Sequence, residues 1–295
     1  ADDDRPAGEG LMAVSAARVV QRRISNGAFI GFCYLVTAIA LLFLAAVLWT
    51  LLQKGLGGIS IKTFTMDVPP PGSSGGLRNA IIGSVMLCGL AMIIAVFVGI
   101  LAGTWLAEYA GDSRYGSAVR FINDVLLSAP SILVGLFIWW ALVAHVIGHF
   151  SGWAGSVSLA LIAVPVIARI TEDVLRLQPT SLRESGMALG TPFWTVIRSI
   201  LWKAAGSGIL TGALLAFSRI SGETAPLLFT ALSNQFLSFD MGHPIGSLPV
   251  VMFNGGLSAY DDLVQLAWSA ALIVSAAVLG VIIVARVMTR ERKSA

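Results

Sequence analysis

Long apolar runs leave this chain few folds to adopt. Residues 28–52, 80–106, 124–146, 155–170, 207–231 and 264–287 are each near the length of a membrane-spanning helix, about 20 residues at about 1.5 Å of rise per residue. The fourth run is the short one and contains Pro165. No ten-residue alternation of apolar and polar positions runs through them, which argues against a barrel. Hydrophobic residues make up 56% of the chain and charged residues 12%, against about a quarter charged in a soluble domain. The expected fold class is an all-α polytopic membrane protein with six transmembrane helices.

The basic residues give an orientation. Arg5, Arg18, Arg22 and Arg23 precede the first run, and Arg114 and Arg120 lie between the second and third. Arg169, Arg176, Arg183, Arg198 and Lys203 fall between the fourth and fifth, and Arg286, Arg290, Arg292 and Lys293 follow the sixth. These regions share one side and hold 15 of the 19 basic residues, while Lys54, Lys62 and Arg78 lie on the other. Cytoplasmic loops are enriched in Lys and Arg, so both termini are expected in the cytoplasm. The net charge of +3 is thus a topology signal and no support for nucleic-acid binding.

Residues 1–27 are expected to be a cytoplasmic tail, with an amphipathic helix from Leu11 to Ile24 lying on the inner leaflet. Residues 28–295 are expected to form a single membrane domain. Cys33 and Cys88 lie in apolar runs and read as packing residues. The outer loop from Gln53 to Asn79, with Pro69, Pro70, Pro71 and several Gly and Ser, reads as a flexible connector too rich in breakers for a packed element. The outer loop from Ala231 to Asp262 carries no Lys or Arg and several Phe and Met, and reads as a folded cap or a docking surface.

The cytoplasmic segment 171–206 has the signals of two short helices. Ser181 and Glu184 have capping-box spacing, worth about 1 kcal/mol for the cap. Gly190 suits a left-handed helix end, and Thr191-Pro192 reads as a cap followed by proline at the first helical position. The expected result is an exposed elbow.

Arg219 and Glu223 form the energetic anomaly. They sit four residues apart, one helical turn, in the apolar stretch Gly206 to Thr230, and Arg219 is about twelve residues from either end. A buried Arg at that depth costs roughly 2.5 to 3.5 kcal/mol on insertion scales, so a partner or a task is required. Three readings are open: an anion-binding group, a structural ion pair with Glu223, or a snorkelling side chain. Mid-depth disfavours the last. Ser221, Gly222 and Thr224 nearby supply hydroxyls and room for close backbone approach, which favours the first.

Two stretches then carry a resemblance. Glu184-Ser185-Gly186-Met187-Ala188-Leu189-Gly190, with Ile200 ten residues after Gly190, resembles the cytoplasmic EAA loop of ABC importer permeases. It departs at Ser185 and Gly186, where the family has alanines, and at Trp202-Lys203 in place of Leu-Pro. Arg219-Ile220-Ser221-Gly222-Glu223-Thr224-Ala225-Pro226-Leu227-Leu228 looks like the signature of the A-subunit permeases of phosphate-specific ABC importers. Leu106-Ala107-Glu108-Tyr109, Asn123 to Ser131, Thr230 to Phe236 and Gln265 to Trp268 fit the same branch, so the resemblance covers most of the chain from about Leu77 onward.

The resemblance implies a type I ABC importer permease (MetI-like) fold in a bacterial inner membrane and inward passage of inorganic phosphate by alternating access. It implies four partners: a related second permease subunit, a homodimeric ATPase, a periplasmic phosphate-binding protein and membrane lipid. Arg219, Glu223, Ser221, Gly222, Thr224 and Arg169 would line the substrate path, although Arg169 also reads as an ordinary interfacial cation. Glu184, Gly186, Ala188 and Gly190 would couple to the ATPase. No G-x-x-x-x-G-K-[ST] occurs, so the chain is expected to have no ATPase site and no cofactor of its own, with ATP and Mg bound by the partner. No catalytic residue and no metal site is expected: His145, His149 and His243 have no Cys or carboxylate at ligand spacing. Three alternatives stay open: a permease for sulfate or molybdate, an ion-coupled secondary transporter, and a purely structural membrane subunit.

Overall fold

The computed structural model describes residues 16–291, and their side chains between 21 and 287. The expected tail and the first residues of the amphipathic segment lie outside the described residues. From Ala16 the chain is helical as α1, Ala16–Gly57, which is apolar over the 37 residues Gln21–Gly57. At about 1.5 Å per residue that stretch exceeds the about 30 Å hydrocarbon core. Contacts divide the chain into two compact units, one through Leu51 and one from Leu52 onward.

In the second unit a short α2, Ile61–Thr65, precedes the long α3, Arg78–Glu108. Then come α4, Arg114–Ser128, and α5, Ser131–Ile138, the latter prolonged by a π-helical stretch Trp139–Ile147. α6, Gly152–Arg176, leads through α7, Thr180–Ala188, and α8, Phe193–Val196, into a π-turn at Ile197–Leu201. α9, Trp202–Ser221, α10, Ala225–Thr230, α11, Leu248–Gly256, and α12, Asp261–Glu291, complete the described chain.

The centre is α3 laid on α6. Gly83, Leu87, Ala91, Ala95, Gly99 and Gly103 are buried at every fourth residue of α3, a ridge of mostly small side chains. A Cβ at Gly99 would lie 2.8 Å from Ile167 Cβ, and one at Gly103 would overlap the Ala168 carbonyl oxygen. In lipid, helices gain little from burying apolar surface against each other, so this closeness is what holds them. α9 packs on the other flank of α6, with Gly208 against Val174 and Gly212 against Ile170, and Ala231 meets Gly155. These pairings run antiparallel. Interpolated at about 1.5 Å per residue, they put Arg219 level with the middle of α6, near Pro165.

Several expectations need correction. The third apolar run is not one straight span. α4 and α5 with its extension qualify as a crossing only as a pair bent by 107°, beside five helices that qualify alone among the described residues. The cause is Pro130, which disfavours helical backbone at Ala129; that residue sits at φ −66, ψ 136. The fifth run is also broken. Its helix starts earlier, at Phe193, and ends at Ser221, with Gly222 as cap, so Glu223 lies outside the helical turn that holds Arg219. The fourth run is longer than the sequence indicates, 25 residues continuing through Pro165.

The loop from 53 to 79 is no loose connector. It contains α2, buries Thr63 and Leu77, and closes on itself where Gly76 passes directly over the Lys62 carbonyl, which only a residue without a Cβ permits. Arg78 Nε donates to Asp67 at 2.9 Å, and Asp67 also accepts from the Leu237 N–H at 3.0 Å, tying this loop to the one after α10. The Arg78 hydrogen bond holds the Asp67 carboxyl below the usual carboxylate range, against a smaller opposing effect of burial.

Two outcomes are expected. Gly103→Val forces α3 off α6 and lowers the thermal midpoint of the detergent-purified protein, consistent with an overpacking cost of about 1–3 kcal/mol; an unchanged midpoint contradicts the close-packing account. Because the folded carboxyl has the lower pKa, its contribution is complete at neutral pH and fades as pH falls through the usual carboxylate range. Asp67→Asn should therefore speed hydrogen exchange across residues 61–78 at neutral pH and make no difference once the solution is more acid than the folded pKa.

Candidate functional site

Two places bring chemistry-bearing groups together, one level with the middle of α6 and one at the Arg176 end of that helix. At the first, Arg219 occupies the last turn of α9 and Glu223 follows the break, with Nε and Oε1 4.0 Å apart. The Arg side chain is 37% exposed and the Glu side chain 19%. This is a loose, part-open pair, at the outer limit of ion-pair contact. No other partner meets the Arg219 guanidinium among the described residues, so most of its N–H fork is free to donate.

The neighbours behave differently from the sequence expectation. The Ser221 hydroxyl donates to the Phe217 carbonyl at 2.7 Å, and the Thr224 hydroxyl to the Pro249 carbonyl at 3.4 Å. Their protons are committed to backbone, so as they stand they offer an anion only lone pairs. Gly222 has open space where a Cβ would be, so what it supplies is clearance. Arg169 is not brought to Arg219. It lies one to two helical turns toward the Arg176 end of α6, held by Asp124 at 3.5 Å and Asp173 at 3.3 Å.

α9 carries a second signal. Ser207, Thr211, Leu215 and Arg219 are exposed at every fourth residue, one stripe of the helix, with Lys203 exposed at its N-terminal end. A stripe with two hydroxyls and a guanidinium is unsuited to lipid tails.

At the second place, Gly190 takes φ +73 and donates its N–H to the Met187 carbonyl, the expected left-handed end of α7. Gly186 is buried, and a Cβ there would lie 2.8 Å from a Val196 methyl and 3.2 Å from Ile200 Cδ1. The elbow thus folds α7 onto the start of the next helix. Glu184, Ala188 and Gly190 are exposed, as are Met187 and Leu189. The expected caps are absent: α7 starts at Thr180 after Pro179 with no side-chain cap, and α8 starts at Phe193 with Pro192, not Thr191, before it. Each proline presets the backbone, at φ −56 in both cases, so the hydroxyl caps are not used.

Sequence reasoning missed the groups that fasten this elbow. Arg183 grips Glu108 at the end of α3 through two hydrogen bonds, Nε–Oε2 2.8 Å and Nη2–Oε1 2.6 Å. The same guanidinium donates to the carbonyls of Leu175, at 2.8 Å, and Gln178, at 2.9 Å. Glu108 is 2% exposed and Arg183 17%. Hydrogen bonding to Glu108 raises the Arg183 pKa further above its ordinary value. Beside it, Glu172 on α6, 4% exposed, pairs with Arg120 at 2.7 Å and Arg176 at 2.9 Å. The available signal was a lone carboxylate, Glu108, closing an otherwise apolar run. At the other end of the helices, the His149 and His243 rings stack at 5.6 Å, a pairing that sequence spacing does not reveal. Asp240, three residues before His243, meets it at 2.7 Å, which corrects the expectation that no carboxylate stands near that histidine.

Breaking one side of a buried, hydrogen-bonded pair costs about 3–5 kcal/mol because the other charge stays buried. Glu108→Ala is therefore expected to lower the midpoint sharply and to speed hydrogen exchange in residues 177–192, while Glu184→Ala, on the exposed face, changes neither. Equal exchange in both variants contradicts the fastening.

Comparison with known proteins places this geometry. Residues 95–293 match the family described as "Binding-protein-dependent transport system inner membrane component". The "Phosphate transport system permease protein PstA" of Haemophilus influenzae is 48% identical over 94% of this chain and 98% of its own length. The protein of that name in Yersinia pestis is 50% identical over 86% of each chain, and "PstA 1" of Mycobacterium tuberculosis 31% over 93% of this chain and 92% of its own. In architecture the chain is similar to a subunit in an inward-facing structure of the MetNI methionine ABC transporter. The TM-score is 0.62 at 18% identity, over 73% of this chain and 95% of that one.

Proposed function

Because the chain belongs to the binding-protein-dependent inner-membrane transport components, and among them to the PstA phosphate transport permeases, we propose that it forms one half of a phosphate path through the inner membrane. The observation that carries this reading is Arg219: a guanidinium at the level of the middle of α6, part-exposed, and only loosely held by Glu223. A related second permease subunit closes the other half of the path. A periplasmic phosphate-binding protein delivers the substrate, and a homodimeric ATPase, which holds ATP and Mg, docks on the exposed face of the elbow at Glu184, Met187, Ala188 and Leu189. Both termini lie on the cytoplasmic side with the elbow.

The chemistry follows from the two side chains. An Arg fork matches phosphate oxygens and remains charged at any physiological pH. In the empty state Glu223 balances the charge across 4.0 Å. When phosphate arrives, its oxygens take the free N–H groups, and the carboxylate accepts a hydrogen bond from the proton that phosphate still carries near neutral pH. Sulfate has no such proton and meets bare repulsion. The exposed Ser207 and Thr211 below Arg219 line the route inward to Lys203. Arg169, balanced by Asp124 and Asp173, belongs to the inner mouth and not to the binding point.

A structural ion pair predicts a short, shielded contact, so the 4.0 Å separation and part-open Arg219 favour the transport reading. In vesicles containing the assembled importer, Arg219→Ala is expected to reduce ATP-driven phosphate uptake by about 10- to 100-fold, the value of losing hydrogen bonds to a charged group. Glu223→Gln is expected to retain uptake and to lose preference for phosphate over sulfate. Unchanged uptake in the first variant, or unchanged preference in the second, overturns the assigned roles.

A further inference from the structure

A groove on the outside of the α3–α9 pair has the dimensions and lining of a lipid site, and it plays no part in the anion path. Three adjoining hollows meet at Trp202. One of about 580 Å³ is lined by Met92, Val96, Phe97 and Ile100, and one of about 320 Å³ by Ile100, Gly206, Leu210 and Ala213. A third, about 380 Å³, is lined by Trp105, Tyr109, Trp194 and Arg198. From Met92 to Leu101 the apolar part runs about 14 Å along α3, close to half of the about 30 Å hydrocarbon core. The aromatic end follows where tails give way to headgroups, the level at which Trp and Tyr collect in membrane proteins.

Two details indicate a built site. The π-turn at Ile197–Leu201, closed by the Trp202 N–H on the Ile197 carbonyl, widens the helix where Arg198 and Trp202 enter the groove. Such turns recur at functional positions. The Trp202 indole N–H is held by Thr104 Oγ1 at 3.0 Å, which fixes the ring between the hollows. Arg198, in contrast, enters no ion pair or hydrogen bond among the described residues, unlike Arg120, Arg176 and Arg183 in the same region. An unpaired guanidinium at the rim of an apolar slot fits an anionic headgroup over acyl chains.

The groove also points away from the anion path. At about 100° per residue, Gly206, Leu210 and Ala213 lie on the order of 130° around α9 from the stripe of Ser207, Thr211 and Leu215. If that stripe faces the path, the groove faces the bilayer. We infer that this groove binds an anionic phospholipid of the inner leaflet, with its headgroup phosphate on Arg198 and a chain along Val96, Ile100 and Ala213. The negative surface of the cytoplasmic leaflet supplies such lipid in excess.

Native mass spectrometry of the detergent-purified importer, incubated with phosphatidylglycerol or with phosphatidylcholine of the same chains, tests this. Wild type is expected to retain phosphatidylglycerol at least about tenfold better under delipidation. Arg198→Gln, an exposed position, should erase that preference. Gly206→Leu should reduce retention of both lipids without unfolding, since open space surrounds a Cβ at Gly206. Equal retention of the two lipids by wild type, or an Arg198→Gln protein that keeps the preference, means annular lipid only and overturns the site. So does an assembled importer that holds no lipid there because its second permease subunit fills the groove.

Discussion

Everything in the second unit rests on how closely α3 approaches α6. In water, two apolar helices are driven together by the solvent they exclude; in hydrocarbon that drive is absent and contact must come from fit. The chain meets this with the ridge Gly83–Leu87–Ala91–Ala95–Gly99–Gly103, which lets backbone meet backbone along α6. Once α6 is fixed by α3 on one side, Gly208 and Gly212 seat α9 on the other, and the level of Arg219 follows. The position of the Arg219 guanidinium is therefore a consequence of small residues far from it in sequence.

Charge is then used in two opposite ways. Where α3 and α6 end beside the elbow, Glu108 and Glu172 are buried and fully engaged by Arg183, Arg120 and Arg176, with carbonyls completing the guanidinium bonds. Such clusters hold geometry, and here they join the elbow to α3 and α6. Level with the middle of α6, Arg219 and Glu223 are left far enough apart, and open enough, to exchange partners. In the proposed function the rigid connection at the elbow conveys the push of the partner ATPase, and the unsaturated pair receives the anion.

Much of this was legible in the residues. The apolar runs, the turn at Gly190 and the Arg219–Glu223 pair all express local rules that need no tertiary information. What failed did so for physical reasons. The run 124–146 is apolar on both sides of Pro130, so hydropathy is blind to the bend that the proline imposes at Ala129. Ser181, Thr191, Ser221 and Thr224 were credited with caps or anion contacts from composition, yet prolines took over the first two tasks and backbone carbonyls took the protons of the last two. Arg183 and Glu108 are 75 positions apart, and nothing along the chain pairs them until α3, α6 and α7 have folded. The proline-rich loop hid its order because glycine signals flexibility in sequence but permits close packing in structure, as at Gly76.

Where the anion sits decides the role proposed for Arg219. A cryo-EM structure of the assembled importer, trapped with phosphate in the membrane, is the direct test. Phosphate density within hydrogen-bonding distance of the Arg219 guanidinium, about 3 Å, with Glu223 on the same anion, is the predicted result. Density lodged elsewhere in the path, with Arg219 closed onto Glu223 or facing lipid, contradicts it.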